Sequence, residues 1–137
     1  MRKVRVLGRA LLLLMLGLFA APLSHAAEVI PLTDLRADLA QAKALHIPIL
    51  LLIHSQGCTY CHYVMEDHLR PMVLSGQYKN RALLRQLAAD DAVELVDATG
   101  ERLGARDYAR SLQVRFYPTI VFLDAEGKPM KERLVGV

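Results

Sequence analysis

Two cysteines, Cys58 and Cys61, stand three positions apart in the stretch SQGCTYCHYVMEDHL, Ser55 to Leu69. A C-x-x-C pair can be the reactive dithiol of a redox protein. With His62 the same residues spell C-x-x-C-H, in which two thioethers would hold a porphyrin and the histidine its iron. Zinc fits less well, because His62 adjoins Cys61 and the chain offers no second C-x-x-C or H-x-x-x-H set. These are the only two cysteines. A disulfide between them closes too short a loop to stabilise a fold, so reactivity or ligation explains them better.

A dithiol works best at the start of a helix. Unpaired backbone N–H groups and the helix dipole favour a thiolate there. A free thiol ionises near pH 8.5, and in a C-x-x-C at a helix N-terminus well below that. Cys58 would then be the exposed nucleophile. Cys61, one turn on, would resolve the mixed disulfide. Three neighbours could modulate the pair. Tyr60 lies between the cysteines and shapes access. His54 precedes the reactive loop and is the candidate for proton exchange. His62 could tune the dithiol, although it points about 100° away from Cys61 on a helix.

The elements that must position this pair can be read around it. Thr33 can cap a helix running to about His46, with Leu35, Leu39, Ala42 and Leu45 on one face. Ile47 to His54, IPILLLIH, reads as a strand buried on both faces. Ser55-Gln56-Gly57 turns the chain into a helix starting at or just before Cys58. Its apolar stripe is Val64, Met65, Leu69 and Met72, and Pro71 should kink or end it. Ala82 to Leu87 is ambiguous by periodicity and is read as a strand because a βαβ unit needs one there. Val93 to Val96 adds a short extended piece, and Ala105 to Leu112 a short helix. Thr119 to Val135 carries a hairpin signal, with its turn at Asp124 to Gly127 and Pro129 marking an edge. The order implies an α/β class with a mixed sheet flanked by helices. An eight-residue apolar strand and a hairpin suit a small helical cytochrome poorly, which favours the dithiol reading over haem. The dithiol reading requires no cofactor.

The 137 residues suffice for one domain. Residues 1–26 read as a secretory signal peptide: Arg2, Lys3, Arg5 and Arg9, then the apolar run Ala10 to Ala21, then the small-x-small site Ser24-His25-Ala26. The run is too short for a comfortable membrane span. Residues 27–137 would form the folded domain. The leader holds four of the 17 basic side chains and none of the 14 acidic ones. The remainder therefore carries 13 basic against 14 acidic groups. That balance gives no reason to expect nucleic-acid binding. The expected location is the periplasm.

A strand, then GCTYC opening a helix, then FYPTIVFLDAEGK from Phe116 to Lys128, resembles the thioredoxin superfamily. The likeness extends to periplasmic thioredoxin-like proteins, including Sox-type ones linked to sulfur oxidation, through HLRPMVLSGQY and the hairpin PTIVFLDAEGK. It covers most of Ile47 to Val137. The resemblance implies a thiol–disulfide oxidoreductase acting on protein or small-molecule disulfides or dithiols and served by a membrane electron donor. It implies that Pro118 is a cis proline facing Cys58. Tyr117, Pro118 and Thr119 would then form the substrate-binding stretch, the Tyr117 backbone pairing with an extended segment. Two departures stand out. Leu52 occupies the place where many thioredoxins carry a buried acid that assists proton transfer. The usual terminal helix does not follow the hairpin, so the chain is expected to be truncated at its C-terminus or covered on one sheet face by something else.

Overall fold

The computed structural model describes residues 28–90 and 92–136. The expected export segment lies outside the described residues. In chain order the elements are β1 (Ile30–Pro31), α1 (Leu35–Leu45), β2 (Ile49–His54), α2 (Thr59–Tyr63), a π turn (Val64–Leu69), α3 (Arg70–Ser75), β3 (Leu83–Ala88), β4 (Glu94–Val96), β5 (Arg102–Gly104), α4 (Ala105–Ser111), β6 (Thr119–Leu123) and β7 (Pro129–Val135). Among the described residues no helix is long and apolar enough to cross a membrane.

Five strands form one mixed sheet in the order β1-β3-β2-β6-β7. β2 is central. It pairs parallel with β3, Ile49 opposite Leu83, and antiparallel with β6, Ile53 opposite Thr119. Its residues Ile49 to Ile53 are all buried, as a strand with helices on both sides must be. Alternation divides them. Ile49, Leu51 and Ile53 join Leu35, Leu39, Ala42, Tyr108 and Leu112 in the core beneath α1 and α4. Leu50 and Leu52 join Val64, Leu69, Leu84 and Ile120 on the opposite face, beneath the helix that begins at the dithiol.

Several expectations are refined. Asp34, not Thr33, caps α1, its carboxylate accepting the Ala37 N–H at 2.9 Å. The Thr33 carbonyl is taken instead by the Val96 N–H. β1 was not read from the sequence, since two residues show no period. Pro31 fits there because β1 is an edge strand. Pro71 does not end its helix. The π turn lies immediately before α3, and the Arg70 N–H reaches back to the Met65 carbonyl. Pro71 thus sits in the first turn of α3, where a missing N–H costs little. The π turn also answers the five-residue step from Val64 to Leu69. Leu69 is buried and His68 is exposed.

The face under the dithiol helix is covered unevenly. Leu134 stands opposite Ile120 and shares its side, yet is 45% exposed. Met130, 48% exposed, lines a hollow of about 480 Å³ with Pro48 and Phe122. Among the described residues no helix follows β7.

Two polar features lie within the opposite core. Arg85 on β3 is buried and donates from Nε and Nη2 to the two carboxylate oxygens of Asp38 on α1, at 2.8 and 2.6 Å. Its Nη1 donates to the Leu84 carbonyl. Every guanidinium nitrogen is thereby engaged, so the pair fastens α1 to the sheet. Asp38→Asn should lower unfolding free energy by about 3 kcal/mol, because Arg85 is left buried and unpaired. Replacing both residues, Asp38→Leu with Arg85→Met, should recover most of that loss in denaturant titrations. Tyr108 of α4 buries a hydroxyl that has no hydrogen-bond partner among the described residues. Burial, helped by the charge of Asp97, pushes its pKa up to about 12. In the unfolded chain the group ionises near 10, so the folded form keeps its proton longer. Stability from this group is intact below pH 10 and is lost as pH climbs from 10 towards 12. Tyr108→Phe should flatten the thermal-melting profile across that window and change stability by less than about 1 kcal/mol at neutral pH.

Candidate active site

The dithiol sits where β2 stops. His54 ends the strand, and Gly57 takes φ 71°, a left-handed value that favours glycine. The chain then enters α2 with Cys58 as its N-cap residue. The loop is anchored from a distance: the Gln56 N–H donates to Asp90 Oδ2 at 2.6 Å. Arg106 of α4 holds the other side of that anchor, donating to the Ala89 and Asp90 carbonyls. Asp90 is remote in sequence and belongs to no local pattern, so only the fold reveals its part.

Cys58 and Cys61 form a disulfide, with sulfurs 2.12 Å apart and Cα atoms 5.2 Å apart. Cys58 is half-buried and Cys61 is 4% exposed. The Cys61 N–H donates to Cys58 Sγ at 3.1 Å. The sulfur thus does what a serine or aspartate oxygen does at other helix starts. Once the pair is reduced, the same N–H and the helix dipole favour a Cys58 thiolate.

A cavity of about 580 Å³ opens beside the pair. The dithiol helix supplies one wall, including Cys58, Cys61, His62, Met65, Glu66 and Arg70. These positions follow helical spacing along one face. His62 therefore belongs to the face of Cys58, one full turn on, although it points away from Cys61. Glu66 accepts from Arg70 Nη1 at 2.7 Å and lies 3.9 Å from His62 Nδ1. Glu28, His54 and Gln86 enclose the other side. Tyr60 is 71% exposed and does not line the cavity. Among the described residues no three His, Cys, Asp or Glu side chains are grouped as metal ligands.

The Tyr117–Pro118 bond is cis. Thr119 lies opposite Ile53, so Pro118 comes level with the end of β2 from which the reactive loop departs. Pro118 is buried, and its carbonyl accepts the Gly136 N–H. Tyr117 keeps 36% exposure, and its neighbour Phe116, which the sequence reading did not single out, keeps 69%. Thr119 is a correction. It is 2% exposed and its hydroxyl donates to the Phe116 carbonyl at 2.7 Å. That side chain braces the turn and is not open to a substrate. None of Tyr117, Pro118 and Thr119 lines the cavity.

Residues 35–137 match the thioredoxin-like domain. The chain belongs to the thioredoxin-like domain family. No protein of curated function matches it in sequence. Solved structures share the fold at low identity. Oxidised thioredoxin O2 from Arabidopsis thaliana is 20% identical, with a TM-score of 0.51 over 83% of this chain and 88% of that one. Thioredoxin f from spinach chloroplast is 18% identical, with a TM-score of 0.53 over 81% and 79%. Thioredoxin f2, solved in complex with ferredoxin:thioredoxin reductase, is 17% identical, with a TM-score of 0.51 over 77% and 83%. A thioredoxin-like domain with a Cys58–Cys61 redox pair is a thiol–disulfide oxidoreductase. The haem reading of the same residues has no support in this mixed-sheet fold.

In the reduced protein Cys58 should be alkylated by iodoacetamide at least tenfold faster than Cys61, as read by peptide mapping of a time course. Equal labelling, or faster labelling of Cys61, would contradict the exposure difference.

Proposed function

We propose that this is a periplasmic thiol–disulfide oxidoreductase in which Cys58 exchanges with the substrate and Cys61 resolves. The observation that carries the reading is the pair itself, held at a helix start with the Cys61 N–H on Cys58 Sγ. In the reducing direction the Cys58 thiolate attacks one substrate sulfur. A mixed disulfide forms, the substrate S–S bond breaks, and the first substrate thiolate leaves and takes a proton. Cys61 then loses its proton and attacks Cys58 Sγ. The Cys58–Cys61 bond forms, and the second substrate thiolate leaves with the electron pair. Two electrons pass from dithiol to substrate. The oxidising direction reverses each step.

Tyr117 is the proposed substrate-facing backbone, with Pro118 setting the chain direction behind it. The exposed Tyr117 beside the cis bond supports an extended substrate segment lying there as an added strand. His54 and His62 modulate the pair from the cavity wall, and Tyr60 does so from the exposed rim of the motif. The basic, apolar and small-x-small layout of residues 1–26 supports export to the periplasm. There the dithiol would be recharged by a membrane electron donor, a role comparable to the reductase that thioredoxin f2 meets in its complex.

Cys58→Ser should abolish reduction of insulin disulfides. Cys61→Ser should accumulate a mixed disulfide with the substrate, visible as an added mass that thiol reductant removes. Normal turnover by Cys61→Ser would overturn the two-cysteine mechanism. In a Gram-negative host the full chain should appear in the periplasmic fraction with Ala27 as its first residue. Retention of residues 1–26 in the cytoplasm would overturn the assigned compartment.

A further inference from the structure

The reaction requires Cys61, a buried thiol, to lose a proton before it can attack. Burial among apolar groups disfavours the thiolate, so an acceptor within reach determines how fast the second step runs. The sheet beneath offers none. Leu52 is 0% exposed and stands opposite Gln86, whose amide cannot titrate and donates to the Val29 carbonyl at 2.7 Å. Cys61 lines the cavity described above.

Its titratable walls are few. Glu28 is exposed in the stretch before β1. His54 ends β2, and His62 is 77% exposed on the dithiol helix. Glu66 is different on three counts. It stands on the helix that carries both cysteines, five residues after Cys61. It is 31% exposed, partly sheltered from solvent. Its Oε2 is pinned by Arg70 Nη1, which leaves Oε1 facing the His62 side of the same wall. Arg70, four residues on, lies on the same cavity face as Glu66.

We propose that Glu66 is the proton-relay residue of Cys61, acting through water in the cavity. The inference rests on the two-cysteine reading and adds one assignment to it. In the resolving step the Cys61 thiol passes its proton by way of water to the Glu66 carboxylate. The Cys61 thiolate attacks Cys58 Sγ, the mixed disulfide breaks, and the substrate thiolate departs with the electron pair. Glu66 then returns the proton to bulk water. In the oxidising direction it supplies the proton that Cys61 takes up as it leaves. Arg70 fixes the carboxylate, while Glu28, His54 and His62 face the same water.

The test is stopped-flow reaction of the reduced full domain with 5,5′-dithiobis(2-nitrobenzoate), which releases one thionitrobenzoate when Cys58 attacks and a second when Cys61 resolves. Glu66→Gln should leave the first phase unchanged and slow the second about tenfold near neutral pH. The second phase should then recover as pH rises, because hydroxide replaces the lost acceptor. Glu66→Asp should retain most of the wild-type second phase, which a merely structural loss of the Arg70 contact would not explain. Identical second phases and pH profiles in wild type and Glu66→Gln would overturn the proposal. So would loss of the second phase in His54→Gln but not in Glu66→Gln. A wild-type protein that releases only one thionitrobenzoate would instead refute the two-cysteine reading on which the proposal rests.

Discussion

Strand β2 is buried on both faces, and the place where that burial ends fixes the reactive centre. From Ile49 to Ile53 each side chain enters a core on one side of the sheet or the other. Such a strand needs a helical layer on each side. α1 and α4 form one layer, and the helix that starts at Cys58 forms the other. The turn from β2 into that helix occurs where the strand ends at His54. The sulfur of Cys58 accepts the Cys61 N–H of the helix's first turn there. The cis bond before Thr119 comes level with the same end of β2 because Thr119 is paired with Ile53. Two segments far apart in sequence are therefore brought together by the register of one strand.

The dithiol helix has to satisfy two faces at once. Towards the sheet it presents Val64, Leu69 and Met72; towards the cavity it presents Cys58, Cys61, His62, Glu66 and Arg70. Both rows pass through the π turn at Val64–Leu69, where Val64 and Leu69 are buried and His68 is exposed. Glu66 and Arg70, four residues apart, form their ion pair on the cavity side.

Much of this was legible in the sequence, for identifiable reasons. The apolar run at β2 and the turn signals of the β6–β7 hairpin are short-range patterns, and they appear where expected. Cys58 as helix opener follows from Gly57 and the motif itself. Other features depend on contacts that no local pattern encodes. β1 exists because β3 offers an edge. Asp34 outcompetes Thr33 as a cap because the Thr33 carbonyl is claimed by Val96. Thr119 looks available in sequence but turns inward to the Phe116 carbonyl. Asp90 anchors the reactive loop across 34 positions. Pro71 looked like a helix breaker because the widened turn before it leaves no compositional mark. His62 was judged from Cys61, its neighbour, when the relevant reference is Cys58, one turn earlier.

The arrangement also separates the stable frame from the reactive rim. A disulfide three residues apart constrains the unfolded chain little, so oxidation and reduction of the pair should shift global stability only slightly. The heavier constraints lie elsewhere. The larger buried cluster and the Arg85–Asp38 clamp are on the α1 and α4 side of the sheet, away from the dithiol helix. The contact that favours a Cys58 thiolate is already made in the disulfide form, so reduction need not rebuild the helix start. A protein organised in this way can cycle its sulfurs against a nearly constant background. The potential of the pair is then set locally, by the helix end, the cavity charges and the exposure of Cys58, rather than by strain transmitted from the core.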